Sequence, residues 1–288
     1  MDCQHTAALR AQQASKILTL IFVYLAMIIA LAHSVAALAQ TPDLKASNVL
    51  RRAMEYQVQF RTGNMDVVPE YVAMLEAATQ AEPDNADLWC AMGTAYLAQG
   101  ARAMLPGGNI ADALPAMQKG PAALRRALQL NPDHAEALSR LGGVQALMGS
   151  FMQAPAMAAR GVAQMNRAVE LAPDSTRVRL QRAFSGLSLP DALRNHAAEA
   201  EDLDYLIEAA DWSRAGDYVR IMRADLHFET GQPDLARAQY EIVEKSGSPA
   251  AVDAKARLSA LDLGGVAMSE IKALRNAAGA KCAMCHGR

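Results

Sequence analysis

Three stretches of the chain, "YVAMLEAATQAEPDNADLW", "AALRRALQLNPDHAEAL" and "NRAVELAPDSTRVRL", end in the same way. Each carries an alanine, then five residues later a Pro-Asp step, then a fresh helix-forming run. The anchors are Ala78, Pro83 and Asp84; Ala127, Pro132 and Asp133; and Ala168, Pro173 and Asp174. Proline lacks a backbone N–H and clashes with a preceding helical turn, so it ends one helix, and it suits the opening of the next. The aspartate beside it is placed to cap the new N-terminus. A unit that recurs in this way cannot bury its apolar face alone and has to stack on its neighbours. Composition agrees: the 288 residues are 52% hydrophobic and 5% aromatic, rich in Ala, Leu and Met, which favours helix over sheet. The expected fold class is all-α. A net charge of −2 supplies no electrostatic footprint for nucleic acid, and none is expected as a partner.

Behind the turns, apolar and small residues recur at helical spacing: Trp89, Met92, Gly93 and Tyr96 after the first, and Leu138, Leu141 and Gly142 after the second. This pattern resembles the tetratricopeptide repeat, which sets Trp, Leu-Gly and Tyr on its first helix. Gly93 and Gly142 fall where that pattern wants a small residue, so that the two helices of a pair approach closely. "ADLHFETGQPDLARAQYEIV" (224–243) looks like a further copy, with Ala224, Gly231, Ala236 and Tyr240 at the matching separations. The proline-to-proline spacings of 49 and 41 exceed the family's period of about 34, so both units carry insertions. The first insertion is expected as a loop over "ARAMLPGGNIADALPAMQKG" (101–120). Residues 45–82 read as a diverged first pair, and 175–216 as a degenerate unit whose second helix lies within 191–211. A capping helix is expected around 250–261. The resemblance implies a tetratricopeptide-type helical solenoid of about four to five helix pairs over residues 40–265.

What such an array does is bind protein. The first helix of each pair lines one face, on which a partner lies as an extended or helical peptide. In this family Cys90 occupies a groove-facing position, and Asp87, Thr94 and Leu97 line the same groove, followed by Ala98, Glu136, Ser139, Gly143 and Ala146. These positions lack a basic clamp for an acidic C-terminal peptide, which leaves the partner's chemistry open. Trp89 and Tyr96 are expected to fix the core of their pair. His227 falls at a buried aromatic position, whereas His134 and His196 read as exposed helix-start or surface residues. No Ser-His-Asp set, carboxylate pair or phosphate loop appears, so the chain is not read as an enzyme.

Residues 1–39 are a separate element. Arg10 and Lys16 precede the apolar run "ILTLIFVYLAMIIALA" (17–32), and Ala37-Leu38-Ala39 is a small-x-small step of the kind signal peptidase cuts. The run itself is shorter than the roughly 20 residues that span a bilayer. A cleaved leader is expected, with a retained N-terminal anchor as the alternative. Either one places the rest of the chain in the periplasm, and an uncleaved leader is the sole membrane contact expected.

Export bears on the last segment, 266–288, a helix ("VAMSEIKALRNAAGA") running into "KCAMCHGR". Cys282, Cys285 and His286 have the spacing that attaches a c-type haem: two thiols on one turn reach the two vinyl groups, and the next His ligates iron. "CAMCHG" resembles the haem segment of c-type cytochromes, including the glycine after the histidine. In position it is similar to the four-helix cytochrome c′ family, whose motif lies on the last helix, although the repeats here argue against a four-helix bundle. The resemblance implies one covalent haem c held by Cys282 and Cys285 with His286 as axial ligand. Met268, 14 residues before Cys282, is the candidate sixth iron ligand. Two other readings stay open. A zinc site needs a fourth ligand, and no nearby residue supplies an obvious one. A Cys282–Cys285 disulfide beside His286 fits redox motifs, but those sit on thioredoxin-like folds with strands.

The reading is a periplasmic haem-bearing scaffold that docks a protein partner and transfers electrons, or senses a small ligand, through a single c-type haem. The alternatives are an assembly factor of cytochrome c maturation that binds apocytochrome segments, and a structural adaptor with a non-functional tail.

Overall fold

The computed structural model describes residues 45–61, 64–105, 107–187, 189–209, 216–264 and 267–280. The expected leader (1–39) and the Cys282–His286 motif lie outside these residues. The described residues contain no strand. They form α1 (Ala46–Arg61), α2 (Val68–Ala81), α3 (Ala86–Met104), α4 (Ala113–Leu130), α5 (Ala135–Phe151) and α6 (Pro155–Leu171). The chain continues through α7 (Thr176–Leu187), α8 (His196–Glu208), α9 (Gly216–Glu229), α10 (Pro233–Glu244), α11 (Ala251–Leu261) and α12 (Ala267–Ala280). Neighbours in sequence are neighbours in space, with α3 on α4 and α5 on α6 in the most extensive contact. The diverged first pair is α1/α2, the degenerate unit is α7/α8, and α9/α10 is the fifth pair. Helices α11 and α12 follow it.

The repeated Pro-Asp step makes the same turn three times. The residue before each proline donates its N–H to the repeat alanine, Glu82 to Ala78 (2.9 Å), Asn131 to Ala127 (2.8 Å) and Ala172 to Ala168 (3.0 Å), which ends the helix. These three alanines are fully buried. The residue after each aspartate then donates back across the turn: Asn85 to Glu82, His134 to Asn131 and Ser175 to Ala172, at 3.1–3.2 Å. Proline and aspartate are thus the two central residues of a β-turn, a position for which proline's fixed φ is preset. The cap is not the aspartate that the sequence pointed to. It is the next residue: Asn85 accepts from the N–H groups of Asp87 and Leu88, His134 from Ala137 and Ser175 from Val178. Its backbone is where the turn ends and the helix starts, so its side chain alone points back at the open N–H groups.

The expected 101–120 loop is mostly helix. α3 runs to Met104 and α4 starts at Ala113, so the long period is taken up by helices of 19 and 18 residues around a short connection. Glycine is what allows these long helices to pair. A methyl group on Gly93 would meet Leu124 Cγ at 2.6 Å, and one on Gly142 would meet the Gly161 carbonyl oxygen at 2.6 Å. Gly161 in turn lies against the backbone of Gly142 and Ala146, and Gly149 against Ala158. The expectation that Gly93 and Gly142 bring helices together holds, and Gly120 and Gly161 repeat it from the second helix.

From α7 onward the interior is held differently. Arg257 donates to Asp225 through Nε (2.7 Å) and Nη2 (3.2 Å), and the Tyr240 hydroxyl donates to the same carboxylate at 2.6 Å. Asp202, fully buried, accepts from Arg179 and Arg182 at 2.7–2.8 Å. Arg194 joins Glu199 (2.7 Å) and Glu229 (2.8 Å). Each buried charge has its counter-charge and hydrogen bonds, the condition under which burial is tolerated.

Candidate functional site

The offset of four residues from each repeat proline gives Asp87, Glu136 and Arg177, in the opening turns of α3, α5 and α7. These first helices stack side by side, and their opening turns form a ladder of charge. Asp87 Oδ1 lies 3.0 Å from His134 Nε2 at the next cap. Glu136 Oε1 accepts from Arg140 Nε (3.1 Å) and Nη2 (2.7 Å), and Arg177 Nε stands 3.6 Å from its other oxygen. Burial alone would raise the Glu136 pKa, but Arg140 and Arg177 outweigh it and hold the carboxyl below its ordinary value. Burial lowers the Arg140 guanidinium, and Glu136 more than restores it, so its pKa stands above the usual value.

The four expected groove residues separate. Asp87 remains on the surface, with 68% of its side chain exposed, as a rung of the ladder. Cys90 is 3% exposed and Thr94 4%. Cys90 packs with Leu124, Ala127, Ala137 and Leu141, so the next first helix covers it. Burial pushes its thiol up to about 12, and it forms no disulfide. The Thr94 hydroxyl donates to the Cys90 carbonyl at 3.1 Å inside its own helix. Leu97 is half-buried and fills the space over Gly120, facing α4 and not an open groove. Cys90 is covered by the next pair, and Leu97 by α4 of its own pair. Arg140 and Arg177 were not anticipated, although Arg177 has the same offset from Pro173 as Asp87 has from Pro83.

Other expectations meet mixed outcomes. His227 is buried, with Nδ1 2.6 Å from Gln232 Oε1. His134 starts its helix as expected, yet 12% of its side chain is exposed because it is wedged between its own helix and Asp87. His196 is half-buried, with its Nε2 inside the fold. Trp89 is a half-buried brace: its indole N–H donates to the Pro83 carbonyl at 2.7 Å, tying α3 to the turn before it. Tyr96 is also half-buried and donates to Glu76 at 2.9 Å.

At the C-terminal end α12 packs against α11, with Ile271 fully buried and Met268 half-buried in its first turns. Cys282, Cys285 and His286 lie outside the described residues. A helix continuous from Ala267 to Ala280 puts Met268 about 18 Å from the helix end along the axis. A Met268–iron bond therefore needs the residues after Ala280 to turn back along α12. Among the described residues no other group of His, Cys, Asp or Glu could hold a metal ion, and no described helix is long and apolar enough to cross a membrane.

No protein-family model matches the sequence, and no curated protein matches it either. Among solved structures, the chain is similar to a thermophilic TPR protein of Thermus thermophilus, with 15% identity and a TM-score of 0.52 over 76% of this chain and all of that one. A tetratricopeptide repeat protein of Parabacteroides merdae aligns with 19% identity and a TM-score of 0.39 over 81% of this chain and 93% of that one. The fold assignment rests on the first.

Proposed function

We propose that this all-α solenoid of tetratricopeptide type, a fold suited to binding protein partners, is a periplasmic, haem-bearing scaffold: the face carrying the Asp87–Glu136–Arg177 ladder docks a protein partner, and the C-terminal tail holds one haem c. The observation that carries this reading is the spacing of Cys282, Cys285 and His286 in a chain whose residues 10–39 have the charge, apolar run and small-x-small step of an export leader. The donor set fits the group, because two thiols three residues apart can each add across a vinyl group while the adjacent imidazole ligates iron. When bound, the haem supplies one-electron transfer or binding of a small ligand. The described part of this segment, α12, is docked: Ala267 and Ile271 are buried on one face, and Lys272 Nζ lies 3.9 Å from Asp191.

Protein made in a host with the cytochrome c maturation machinery should carry one haem that survives a denaturing gel. Cys282→Ser with Cys285→Ser should abolish the stain, and His286→Ala should shift the absorption spectrum. Met268→Ala should leave the stain intact and change the spectrum if Met268 is the sixth ligand. Colourless protein from that host would overturn the haem assignment and leave the assembly-factor reading ahead.

A further inference from the structure

Asn85, His134 and Ser175 hold the same place in three units: each follows the aspartate of a Pro-Asp turn and caps a first helix. An amide and a hydroxyl do not change protonation near neutral pH, whereas an imidazole does. At His134 both ring nitrogens are committed. Nδ1 accepts the Ala137 N–H at 3.3 Å, and Nε2 lies 3.0 Å from Asp87 Oδ1 on α3. In the first turn of a helix an N–H has no backbone partner of its own, so the ring is the partner that Ala137 has. A backbone N–H can only donate. Nδ1 must therefore carry a lone pair, and the one proton of the neutral ring sits on Nε2 and is donated to Asp87. An imidazolium carries a proton on each nitrogen, so its Nδ1–H would oppose the Ala137 N–H and the cap would be lost.

The charges around the ring act in both directions. Asp87 on α3 favours the charged ring, and so does Glu136 on α5. Glu136, however, is already bound by Arg140 and faced by Arg177 from α7, and Asp133 in the adjoining turn is faced by Arg167 from α6. Burial keeps Cys90, between α3 and α5, a neutral thiol. The positive end of the α5 macrodipole opposes a cation at the cap. Charging thus strengthens the contact to Asp87 and breaks the one to Ala137. We infer that His134 is a proton-operated cap at the joint between the α3/α4 and α5/α6 pairs. Neutral, it closes the opening turn of α5; charged, it releases that turn and keeps Asp87. Glu136 belongs to the released turn, so acid loosens the middle rung of the ladder, whether or not the ladder docks a partner. The joints capped by Asn85 and Ser175 do not respond.

Nitrogen-15 spectra of the full chain labelled at histidine test this, with the His134 signals identified by their loss in His134→Asn. At about pH 8 the ring should show a protonated Nε2 and a bare Nδ1. As the pH is lowered towards about 5, the same signals record the charging of the ring. Hydrogen-exchange protection of Ala137, corrected for the intrinsic effect of pH, should fall about fivefold or more along that curve. His134→Asn copies the cap of α3 and His134→Ser the cap of α7; each should keep Ala137 protected and remove the pH dependence. A proton on Nδ1 at about pH 8 would overturn the inference, and so would a ring that stays neutral down to about pH 5. Ala137 protection that ignores the charge of the ring would overturn it as well. The same loss in both variants would trace the effect to a carboxylate and would also overturn it.

Discussion

Glu136 shows how a single side chain in this protein is tuned by its position in the repeat. It is one of three residues at the same offset from a repeat proline, and it stands between two arginines, Arg140 on its own helix and Arg177 on the next. Those charges hold its folded pKa below the ordinary carboxylate value against the effect of burial. The sign of the linkage follows. The ionised form stabilises the fold fully above the unfolded pKa, and this contribution is lost as pH falls through the lower, folded value. Melting temperatures of Glu136→Gln and wild type should therefore differ at about pH 7 and converge as the pH falls below the ordinary carboxylate range of about 4. A difference that stays constant through acid unfolding would mean that the two arginines do not act on this carboxyl. Cys90 sits at the opposite extreme: burial between α3 and α5 makes its thiol a poor acid and removes it from both surface chemistry and partner contact.

At the scale of elements, the pairs α3/α4 and α5/α6 depend on missing side chains. In α5/α6 the approach is closest, because Gly142 and Ala146 face Gly161 with little beyond backbone between the helices. Gly161→Ala should raise helix propensity by about 1 kcal/mol and still destabilise the protein. The added methyl would collide with the backbone of Ala146 and the carbonyl of Gly142, and overpacking of this kind costs about 1–3 kcal/mol. Urea unfolding of Gly161→Ala should show the net loss. Gain of stability would mean that α5 and α6 are free to separate without losing other contacts. In α3/α4 the corresponding methyl on Gly93 would first meet the Leu124 side chain, at 2.6 Å, with the Gly120 carbonyl farther off at 3.1 Å.

The molecule as a whole is stabilised by two chemistries along its length. Its earlier pairs pack glycine and alanine closely, while α7 to α11 are tied by buried Arg–carboxylate groups. In a solenoid each pair contacts only its neighbours, so damage at one end need not spread to the other. Arg257→Leu would leave Asp225 buried with no counter-charge from Arg257, which costs about 3–5 kcal/mol. Hydrogen exchange should then speed up in α9, α10 and α11 while α3 to α6 keep their protection. Equal loss along the whole chain would show that the stack unfolds as one cooperative unit.

Much of this architecture follows from the sequence by itself. The alanine and Pro-Asp steps fixed where the helices of three units stop and restart, because proline's missing N–H and preset φ act locally and need no partner. The helix periodicity, the pairing glycines Gly93 and Gly142, the capping helix near 250–261 and the helix leading into Cys282 were legible for the same reason. The cap at Asn85 in place of Asp84 depended on which of two adjacent polar residues the turn aims backward. Tertiary packing alone decided that Cys90, Thr94 and Leu97 would be covered, since their exposure depends on how closely α4 and the next pair approach α3. It alone brought Asp225, Tyr240 and Arg257 together from three helices, and Arg194 to Glu229 across 35 residues of chain. Contacts that distant in sequence leave no periodic trace. They depend on the superposition of whole helices, and only the folded stack supplies it.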